Sequence, residues 1–577
     1  MNRRVYTGIS IAVVCLGFGL LTGCGSSSST TPPPPPPPPT KANYVFYASG
    51  QDTGGGTGQN YYAIAGALTI DSTGKVVGGE EDYNDAFGIT SLNEPTPDTI
   101  SAGTLTITDP TTGLGTLTIT SSYTATGVSG VQTFAVQFVN PNHALIMQFD
   151  GSATSSGSLD LQSATAVTQA NFSFAMSGID NTTNNYLSWD FGGVFAASTG
   201  AGFVDVNDGG VVSTGNALAS TSGTPDAFGR NVITVASPVI SLATYPVGTG
   251  VMRMIDVDAN DVAVGSAFGQ GTGTFDDTSL TAGVFAEIGQ WSETFATVGQ
   301  FATDGNGNIT SGLADDNELD WGQQLFGSDI SGATYDLVGS GVNGYGSMTL
   351  TSGGVALNGN VTNLGVYMVD PTLNINDPNN TTDVGGALIV DLSGVGVTPG
   401  GMGVITPQTD TTAADFSGNY AAGFQDFNYF DTISSCSFAC EVDMVGPFTM
   451  ASGGALSTAT VGADDNDPLG SISGTQSTGD TYGSTPAPVS AGYFTMQPNG
   501  LVVTIDGLSG PPFNVDAFQA SATTLYWINV DPTDISVYLG TLQGQSSIAN
   551  VPAAQRIATK IQPTRRTTRG TFGAHQR

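Results

Sequence analysis

Short runs of alternating apolar and polar residues fill the chain between residues 43 and 547. The run GTLTIT occurs at 103–108 and again at 115–120, and the turn-forming residues DPTTGL separate the two copies. Two alternating runs joined by turn residues are typical of a β-hairpin. Because no long stretch of this region has the 3.6-residue period of an amphipathic helix, the pattern predicts an all-β protein.

Three sequence features recur in the same order four times. Each unit opens with an apolar run, as in NYVFYASGQD at 43–52 and NFSFAMSGID at 171–180, with looser counterparts at Gly283 and Asn419. A cluster of the form D-x-N-[DE] follows a glycine-rich turn, and a Gly with a Gln five residues later closes the unit. A pattern repeated in this way predicts a tandem array. The closing pairs are Gly157 and Gln162, Gly265 and Gln270, Gly403 and Gln408, and Gly540 and Gln545.

The number of strands in one unit favours a small closed architecture. The first unit has about eight strand-like runs in about 120 residues, and eight strands suffice to close an antiparallel barrel. A two-sheet sandwich would produce nearly the same pattern, whereas a propeller blade is much shorter. We therefore predict four tandem antiparallel β-barrel or β-sandwich units, at 43–165, 171–273, 281–410 and 416–547.

The N-terminus has the features of an export signal. Arg3 and Arg4 precede an apolar run at 9–21, which is shorter than the roughly 20 residues of a membrane-spanning helix. The sequence LTGC at 21–24 resembles the lipobox of bacterial lipoproteins. This resemblance implies a signal peptide at 1–23 that is removed, a palmitate-bearing lipid anchor on Cys24, and attachment to the cell envelope. In Gram-negative lipoproteins an Asp after the lipidated cysteine favours retention in the inner membrane. Because Gly25 occupies that position here, the resemblance implies anchoring in the outer membrane, facing the periplasm or the cell surface.

Low-complexity segments flank the repeated region. A Ser/Thr/Pro-rich linker at 24–42 contains eight consecutive prolines, which favour a semi-rigid polyproline II spacer. The segment 548–577 has six basic residues and no acidic one, so we predict a largely disordered basic tail. Such a tail is usually solvated, although contact with anionic lipid or polysaccharide is the alternative.

The charge of the repeated region restricts its partners. All 48 acidic residues lie between 43 and 547, where Lys75, Arg230 and Arg253 are the only basic residues. Such a region repels nucleic acid and anionic membranes and attracts cations. The predicted partners are therefore the membrane, reached through the N-terminal lipid, and a protein or a polysaccharide, but no nucleic acid.

The acidic clusters and two cysteines are the candidate sites of the repeated region. Carboxylates and Asn carbonyls are ligands for calcium, although turn capping by the same side chains is the simpler explanation. Apart from calcium, no cofactor is predicted. Cys436 and Cys440 are close enough in sequence to form a local disulfide in an oxidising compartment. The calcium candidates are Asp82, Asn84 and Asp85; Asp205, Asn207 and Asp208; Asp315, Asn317 and Glu318; and Asp464, Asn466 and Asp467.

Motifs for catalysis are absent from the sequence. The chain has two histidines, His143 in a predicted turn and His575 in the tail, so a zinc-binding histidine cluster is excluded and a Ser-His-Asp triad is not expected. We therefore predict a non-enzymatic, lipid-anchored envelope protein with a structural, adhesive or binding role. One alternative is small-ligand binding inside the β units, and another is a carbohydrate-active enzyme that uses paired carboxylates. The first alternative predicts interior cavities lined by Phe134, Trp189, Trp321 or Trp527.

Overall fold

A computed structural model describes much of the chain between residues 41 and 551. The predicted signal peptide, Cys24 and the prolines of the linker lie outside the described residues. The described residues are 41–52, 60–85, 96–123, 130–180, 187–236, 239–258, 260–289, 294–318, 324–352, 355–356, 363–381, 385–393, 400–412, 415–428, 440–451, 455–456, 463–467, 475–483, 487–495, 502–505, 508–509, 514–530, 536–548 and 551.

The first unit is a closed antiparallel barrel of eight strands. Each strand pairs with the next one along the chain, and the last strand pairs with the first. Its strands are β1 (Lys41–Asp52), β2 (Asn60–Asp71), β3 (Lys75–Asp85), β4 (Asp98–Asp109), β5 (Leu114–Ser121), β6 (Val131–Asn140), β7 (His143–Gln148) and β8 (Ala153–Leu161).

The second unit is also a closed eight-stranded antiparallel barrel with the same strand order. Its strands are β9 (Asn171–Asp180), β10 (Leu187–Ala196), β11 (Ala201–Asp208), β12 (Val211–Ser222), β13 (Asn231–Ala236), β14 (Val239–Gly248), β15 (Val251–Asp256) and β16 (Asp261–Gly269).

The third unit is a nine-stranded sheet with a separate two-stranded ribbon. A single 3-10 turn at Asp277–Ser279 precedes it. Its strands are β17 (Ala282–Gly289), β18 (Phe295–Thr303), β19 (Ile309–Glu318), β20 (Gln324–Asp329), β21 (Thr334–Asp336), β22 (Tyr345–Thr349), β23 (Thr351–Ser352), β24 (Val355–Ala356), β25 (Asn363–Val369), β26 (Gly386–Asp391) and β27 (Met402–Pro407).

The fourth unit is a twelve-stranded sheet. Its strands are β28 (Gly418–Asn428), β29 (Cys440–Ala451), β30 (Ala455–Leu456), β31 (Ala463–Asp467), β32 (Thr475–Gly483), β33 (Ala487–Ser490), β34 (Tyr493–Thr495), β35 (Val502–Ile505), β36 (Leu508–Ser509), β37 (Val515–Ser521), β38 (Thr524–Asn529) and β39 (Ser536–Gly544).

The prediction of an all-β protein made of tandem antiparallel units is confirmed. Alternation explains the strands locally: the residues of β5 are buried at every second position, as a strand with one face toward a core requires. The inward residues of the first barrel form one apolar cluster that includes Phe46, Phe134 and Leu159. No helix among the described residues is both long and apolar enough to cross a membrane.

The structure corrects two details at the ends of the repeated region. Strand β1 begins at Lys41, two residues before the predicted start of the first unit, because Lys41 and Ala42 already pair with β2. Ile548 and Val551, which were assigned to the basic tail, pack against the core of the first barrel because they are apolar.

In every unit the first strand pairs with the last strand. The recurring glycines and glutamines of the last strand help to fix the register of this pairing. The backbone N–H groups of Gln162, Gln270, Gln408 and Gln545 donate to the carbonyl oxygens of Asn43, Asn171, Ala282 and Asn419. Glycine is required in the closing strand because a Cβ on Gly157 would lie 1.9 Å from the carbonyl oxygen of Tyr47. The same close approach occurs at Gly265 and Gly403.

The four units form a closed ring, which the glutamine side chains connect. Each Nε2 group donates to backbone carbonyl oxygens of the following unit, and the last unit reaches the first. Apolar clusters shared between units accompany these bonds, for example between the third and fourth units and between the fourth and first. The acceptors are Phe228 and Pro246 for Gln162, Asn343 for Gln270, Gln519 for Gln408, and Thr112 and Phe138 for Gln545.

Candidate functional site: the cavity at the centre of the ring

A cavity of about 300 Å³ lies where the four units meet. The opening and closing strands of every unit contribute to its wall, so the sequence features that define the repeat also build the cavity. Among the described residues that line it, none is acidic. One lining residue from each of these strands is Tyr47 (β1), Ser158 (β8), Ser177 (β9), Val264 (β16), Ile288 (β17), Val404 (β27), Gly423 (β28) and Thr541 (β39).

Strand alternation places these side chains outside the barrels. Phe46 and Ala48 point into the first barrel, so Tyr47 between them points toward the centre of the ring. Ser158 is directed to the centre in the same way, since its neighbour Leu159 belongs to the barrel core. The wall therefore combines aromatic faces with hydroxyl and amide groups.

Three buried ionisable side chains meet at one side of the cavity. Asp160 accepts hydrogen bonds from Arg253 Nη2 and from His143 Nδ1, each at 2.7 Å. Arg253 also donates to Ser158 and Ser266, and its guanidinium carbon lies 4.3 Å from the centre of the Tyr47 ring. The guanidinium belongs to the second unit and the carboxylate to the first, so this ion pair joins the two units.

The protonation states of this group follow from the contacts. Burial alone would raise the pKa of Asp160, but Arg253 and His143 hold the pKa of this carboxyl well below its usual range. Burial would lower the pKa of His143, but its hydrogen bond to Asp160 and the nearby carboxylate of Asp377 raise it above the ordinary value. A protonated His143 donates through both ring nitrogens.

Among the described residues, one ring nitrogen of His143 is left without a partner at this site. Its Nε2 atom is buried and has no hydrogen-bond partner within the part of the chain that the structure describes. The residue begins strand β7 and borders the cavity, whereas the sequence placed it in a turn. Its burial is explained by cross-strand pairing of His143 with Asp160. Sequence reasoning missed this site, although an arginine in so acidic a region already indicated a buried ion pair.

A segment of the third unit extends to the first and fourth units beside the cavity. Asn140 donates to Asp377 at 2.7 Å, and Asn379 donates to the carbonyl oxygen of Asn142 at 2.9 Å. Asn376 borders the cavity and donates to the Tyr526 hydroxyl of the fourth unit. The three side chains fix this segment against both units.

The asparagines of the acidic clusters connect neighbouring units. Asn84 donates to the carbonyl oxygens of Asp256 and Asp261, both at 2.9 Å, in the hairpin β15–β16 of the second unit. Asn207 donates to Asp391 of the third unit, and Asn317 donates to Asn529 and Ser536 of the fourth. Each acceptor lies at the hairpin before the closing strand of the next unit. These amides therefore act as clamps between units.

The first aspartates of the clusters also face the next unit. Asp82 forms two hydrogen bonds of 2.7 Å with Arg230 and accepts one of 2.6 Å from the Tyr245 hydroxyl. Asp205 accepts hydrogen bonds from the hydroxyls of Tyr345 and Tyr367, the latter at 2.8 Å. In the third cluster, Tyr493 of the fourth unit lies 3.4 Å from Asp315. Both arginines of the repeated region thus join the first unit to the second.

The twelve calcium candidates do not converge on one site. They lie on the separate strands β3, β11, β19 and β31, and the first three strands each contact a different neighbouring unit. Asp85 and Glu318 are buried at the ends of their strands, and Asp208 is half-buried. The side chains of Asp464, Asn466 and Asp467 lie outside the described part of the chain. Calcium binding by these clusters stays a prediction.

Four buried carboxyl groups accumulate between the second and third units. Burial raises the pKa of Asp190 and of Asp316 to about 7. Burial and the neighbouring carboxyls raise the pKa of Glu287 and of Asp391 well above their ordinary values. Glu287 and Asp391 therefore retain their protons at neutral pH, whereas Asp190 and Asp316 titrate near it.

Apolar side chains pack inside the two closed barrels over the described residues. Phe134 is fully buried in the core of the first barrel, and Trp189 packs on Phe191 inside the second. Trp527 packs against Phe424 in the fourth unit. A cavity inside the second barrel has about 20 Å³, which is room for about one water molecule. Trp321 lies outside the described residues, as does Cys436, and Cys440 is described through its backbone alone, so the disulfide stays a prediction.

Comparison with known proteins gives little additional information. No family model matches the chain, and no curated protein matches it in sequence. Two similar solved structures are crystal structures of the vaccine antigen transferrin binding protein B from Haemophilus parasuis, a double mutant and a single mutant. Each is 8% identical to this chain, and the match covers 70% of this chain and 83% of the other. The TM-scores are 0.20 and 0.18, and at these values the likeness supports no conclusion about function.

Proposed function

We propose that this protein is an exported, lipid-anchored and non-enzymatic binding protein of the cell envelope, and that the cavity at the centre of the ring binds a saccharide. The N-terminal lipid would hold the ring at the outer membrane, and the proline-rich linker would separate it from the surface. The observation that carries the proposal is the composition of the cavity wall, to which all four units contribute.

The groups of the wall match the chemistry of a sugar. Tyr47 and Tyr61 contribute aromatic side chains to the wall, which suit the apolar face of a sugar ring. Ser49, Ser177 and Thr541 contribute side chains with hydroxyl groups, which can exchange hydrogen bonds with the hydroxyls of a sugar.

The lack of acidic groups in the wall favours binding over hydrolysis. Glycoside hydrolysis normally requires two carboxyl groups on either side of the scissile bond. None of the described residues that line the cavity is Asp or Glu. Asp160 is close to the cavity, but Arg253 and His143 already occupy its oxygens.

Binding can be tested with a glycan array and with thermal unfolding of the full mature chain in the presence of the glycans retained on it. We expect Val404→Trp to abolish both signals, because Val404 lines the cavity and the larger side chain would fill it. Val211→Trp is the matched control, since Val211 is 72% exposed. Absence of any glycan signal with the wild-type chain, or an unchanged signal with Val404→Trp, would exclude saccharide binding in the cavity.

Anchoring can be tested separately by metabolic labelling with palmitate and by cell fractionation. We expect Cys24→Ser to lose the label and to move the protein from the membrane to the soluble fraction. Cys15→Ser, in the apolar run of the signal peptide, is the matched control and should retain both properties. Labelled protein in the Cys24→Ser strain would contradict lipid attachment at this residue.

A further inference from the structure

A compact group of carboxylates lies in the hairpin β15–β16 of the second unit. Asp256 is the last residue of β15, Asp261 is the first residue of β16, and Asp258 lies between the two strands. One carboxylate oxygen each from Asp256, Asp258 and Asp261 lies within 4.8 Å of the other two. Three oxygens at this separation could contact a single ion placed between them.

An unpaired oxygen of Asp256 distinguishes this group from an ordinary acidic turn. Asp256 is 0% exposed, and its Oδ1 atom accepts a hydrogen bond from the Asp258 backbone N–H. Its Oδ2 atom is buried without a hydrogen-bond partner among the described residues. A buried carboxyl group that lacks a partner either binds a proton or, once ionised, requires a counter-charge.

The surroundings add negative charge and no positive charge. Asp180 is the cross-strand partner of Asp261 in the pairing of β9 with β16. Asp208 is one of the calcium candidates of the sequence, and it lies near this hairpin. Among the described residues, none of the three aspartates forms an ion pair with a basic side chain.

We propose that Asp256, Asp258 and Asp261 bind a calcium ion. All three supply carboxylate oxygens, which are hard ligands, and calcium accepts an irregular set completed by water. Magnesium requires near-ideal octahedral geometry and gives up its water reluctantly, so this short turn suits it less. Asp258 is already fixed in the turn, since its two oxygens accept the backbone N–H groups of Asn260 and Ser241.

The position of the hairpin gives the ion a role at a joint of the ring. Asn84 of the first unit donates to the carbonyl oxygens of Asp256 and Asp261, and these residues would hold the ion through their side chains. A bound ion would order the turn that Asn84 binds. Calcium would therefore strengthen the contact between the first and second units.

The experiment is calorimetric titration of the full mature chain with calcium chloride at mildly alkaline pH, together with thermal unfolding in calcium and in chelator. We expect one bound ion and a melting temperature that rises with calcium. The variant Asp256→Asn should weaken calcium binding at least about tenfold, because one charged ligand is lost. The same variant should unfold at a higher temperature than wild type in chelator, because a neutral amide replaces the buried, unpaired oxygen.

The melting temperature in chelator separates a calcium ligand from a residue with a purely structural role. Replacement of a structural residue would lower the melting temperature both in calcium and in chelator. Asp304→Asn is the matched control, because Asp304 lies in an exposed turn and the variant has the same net charge. It should retain the calcium-dependent shift. Wild-type protein without calcium-dependent heat or stabilisation, or Asp256→Asn with an unchanged calcium affinity, would overturn the proposal. Equal stabilisation by magnesium would show that the site does not select calcium.

Discussion

The side-chain amide of Gln545 lies 2.6 Å from the carbonyl oxygen of Phe138 and joins the last unit to the first. Open repeat arrays end in atypical terminal units that shield the exposed end. In this protein the fourth unit instead uses the same glutamine as the other three, and its acceptor is the first unit. The repeated region is therefore closed on itself, and all four units retain the same joint.

Removal of the closing amide should weaken the ring. Gln545→Leu loses two hydrogen bonds between units, and we expect it to lower the free energy of unfolding by about 1–3 kcal/mol. The loss stays moderate because Gln137 donates to the same two carbonyl oxygens. Urea unfolding measures the change, with Ser547→Leu at an exposed neighbouring position as the control. A Gln545→Leu variant as stable as this control would show that the joint contributes nothing.

Two substitutions of Asn84 should separate the loss of a hydrogen-bond donor from the introduction of a negative charge. Asn84→Ala removes the amide that faces two carbonyl oxygens, at a cost of about 1–3 kcal/mol. Asn84→Asp should be more destabilising at neutral pH, because a carboxylate would then face those carbonyl oxygens and the acidic hairpin. Urea unfolding of both variants checks the order, and Asn142→Asp, at an exposed position, is the charge-matched control. The opposite order of the two Asn84 variants would be inconsistent with a donor role.

The sequence predicted the strands and the repeat because both depend on local patterns. The alternation in β5 and the spacing of Gly157 and Gln162 are visible without tertiary information. The function of the repeated residues was not predictable in this way. Asp82 and Asn84 share one strand face by alternation, but the sequence does not show that another unit covers this face.

The central site was missed because its members are distant in sequence. Arg253 and Asp160 are separated by 93 residues and belong to different units. His143 and Asp160 meet through the pairing of β7 with β8, which depends on the register of the hairpin. Alternation along a strand indicates which residues face the interior of its own unit. It does not indicate which of the outward-facing residues lie at the centre of the ring.

The buried carboxyls between the second and third units should make the protein more stable in mild acid than at neutral pH. The pKa of Asp190 and of Asp316 is raised from 3.8 to about 7, so both carboxyls bind protons more tightly in the folded state. Their contribution is fully present below about pH 4 and is lost as the pH rises toward about 7. Each group should lower the free energy of unfolding by about 1.4 kcal/mol per pH unit in this window. Urea unfolding as a function of pH measures the slope.

Neutral variants provide the control for this pH dependence. Asp190→Asn combined with Asp316→Asn removes two of the titrating groups, so the loss of stability between about pH 4 and pH 7 should become less steep, while Glu287 and Asp391 still contribute to it. Asp336→Asn, at an exposed position, should leave the slope unchanged. If the double variant retained the wild-type slope, these two carboxyls would not be its origin.

Breaking the ion pair beside the central cavity should lower the free energy of unfolding more than the other substitutions at the unit joints. Asp160→Asn leaves Arg253 and His143 buried without their counter-charge, and loss of one partner from a buried pair costs about 3–5 kcal/mol. The control is Asp329→Asn, because the exposed Asp329 accepts one backbone hydrogen bond that an Asn oxygen can also accept. His143→Gln should cost less in the Asp160→Asn background than in wild type, since the two side chains are in direct contact. Additive losses in urea unfolding would show that His143 and Asp160 act independently.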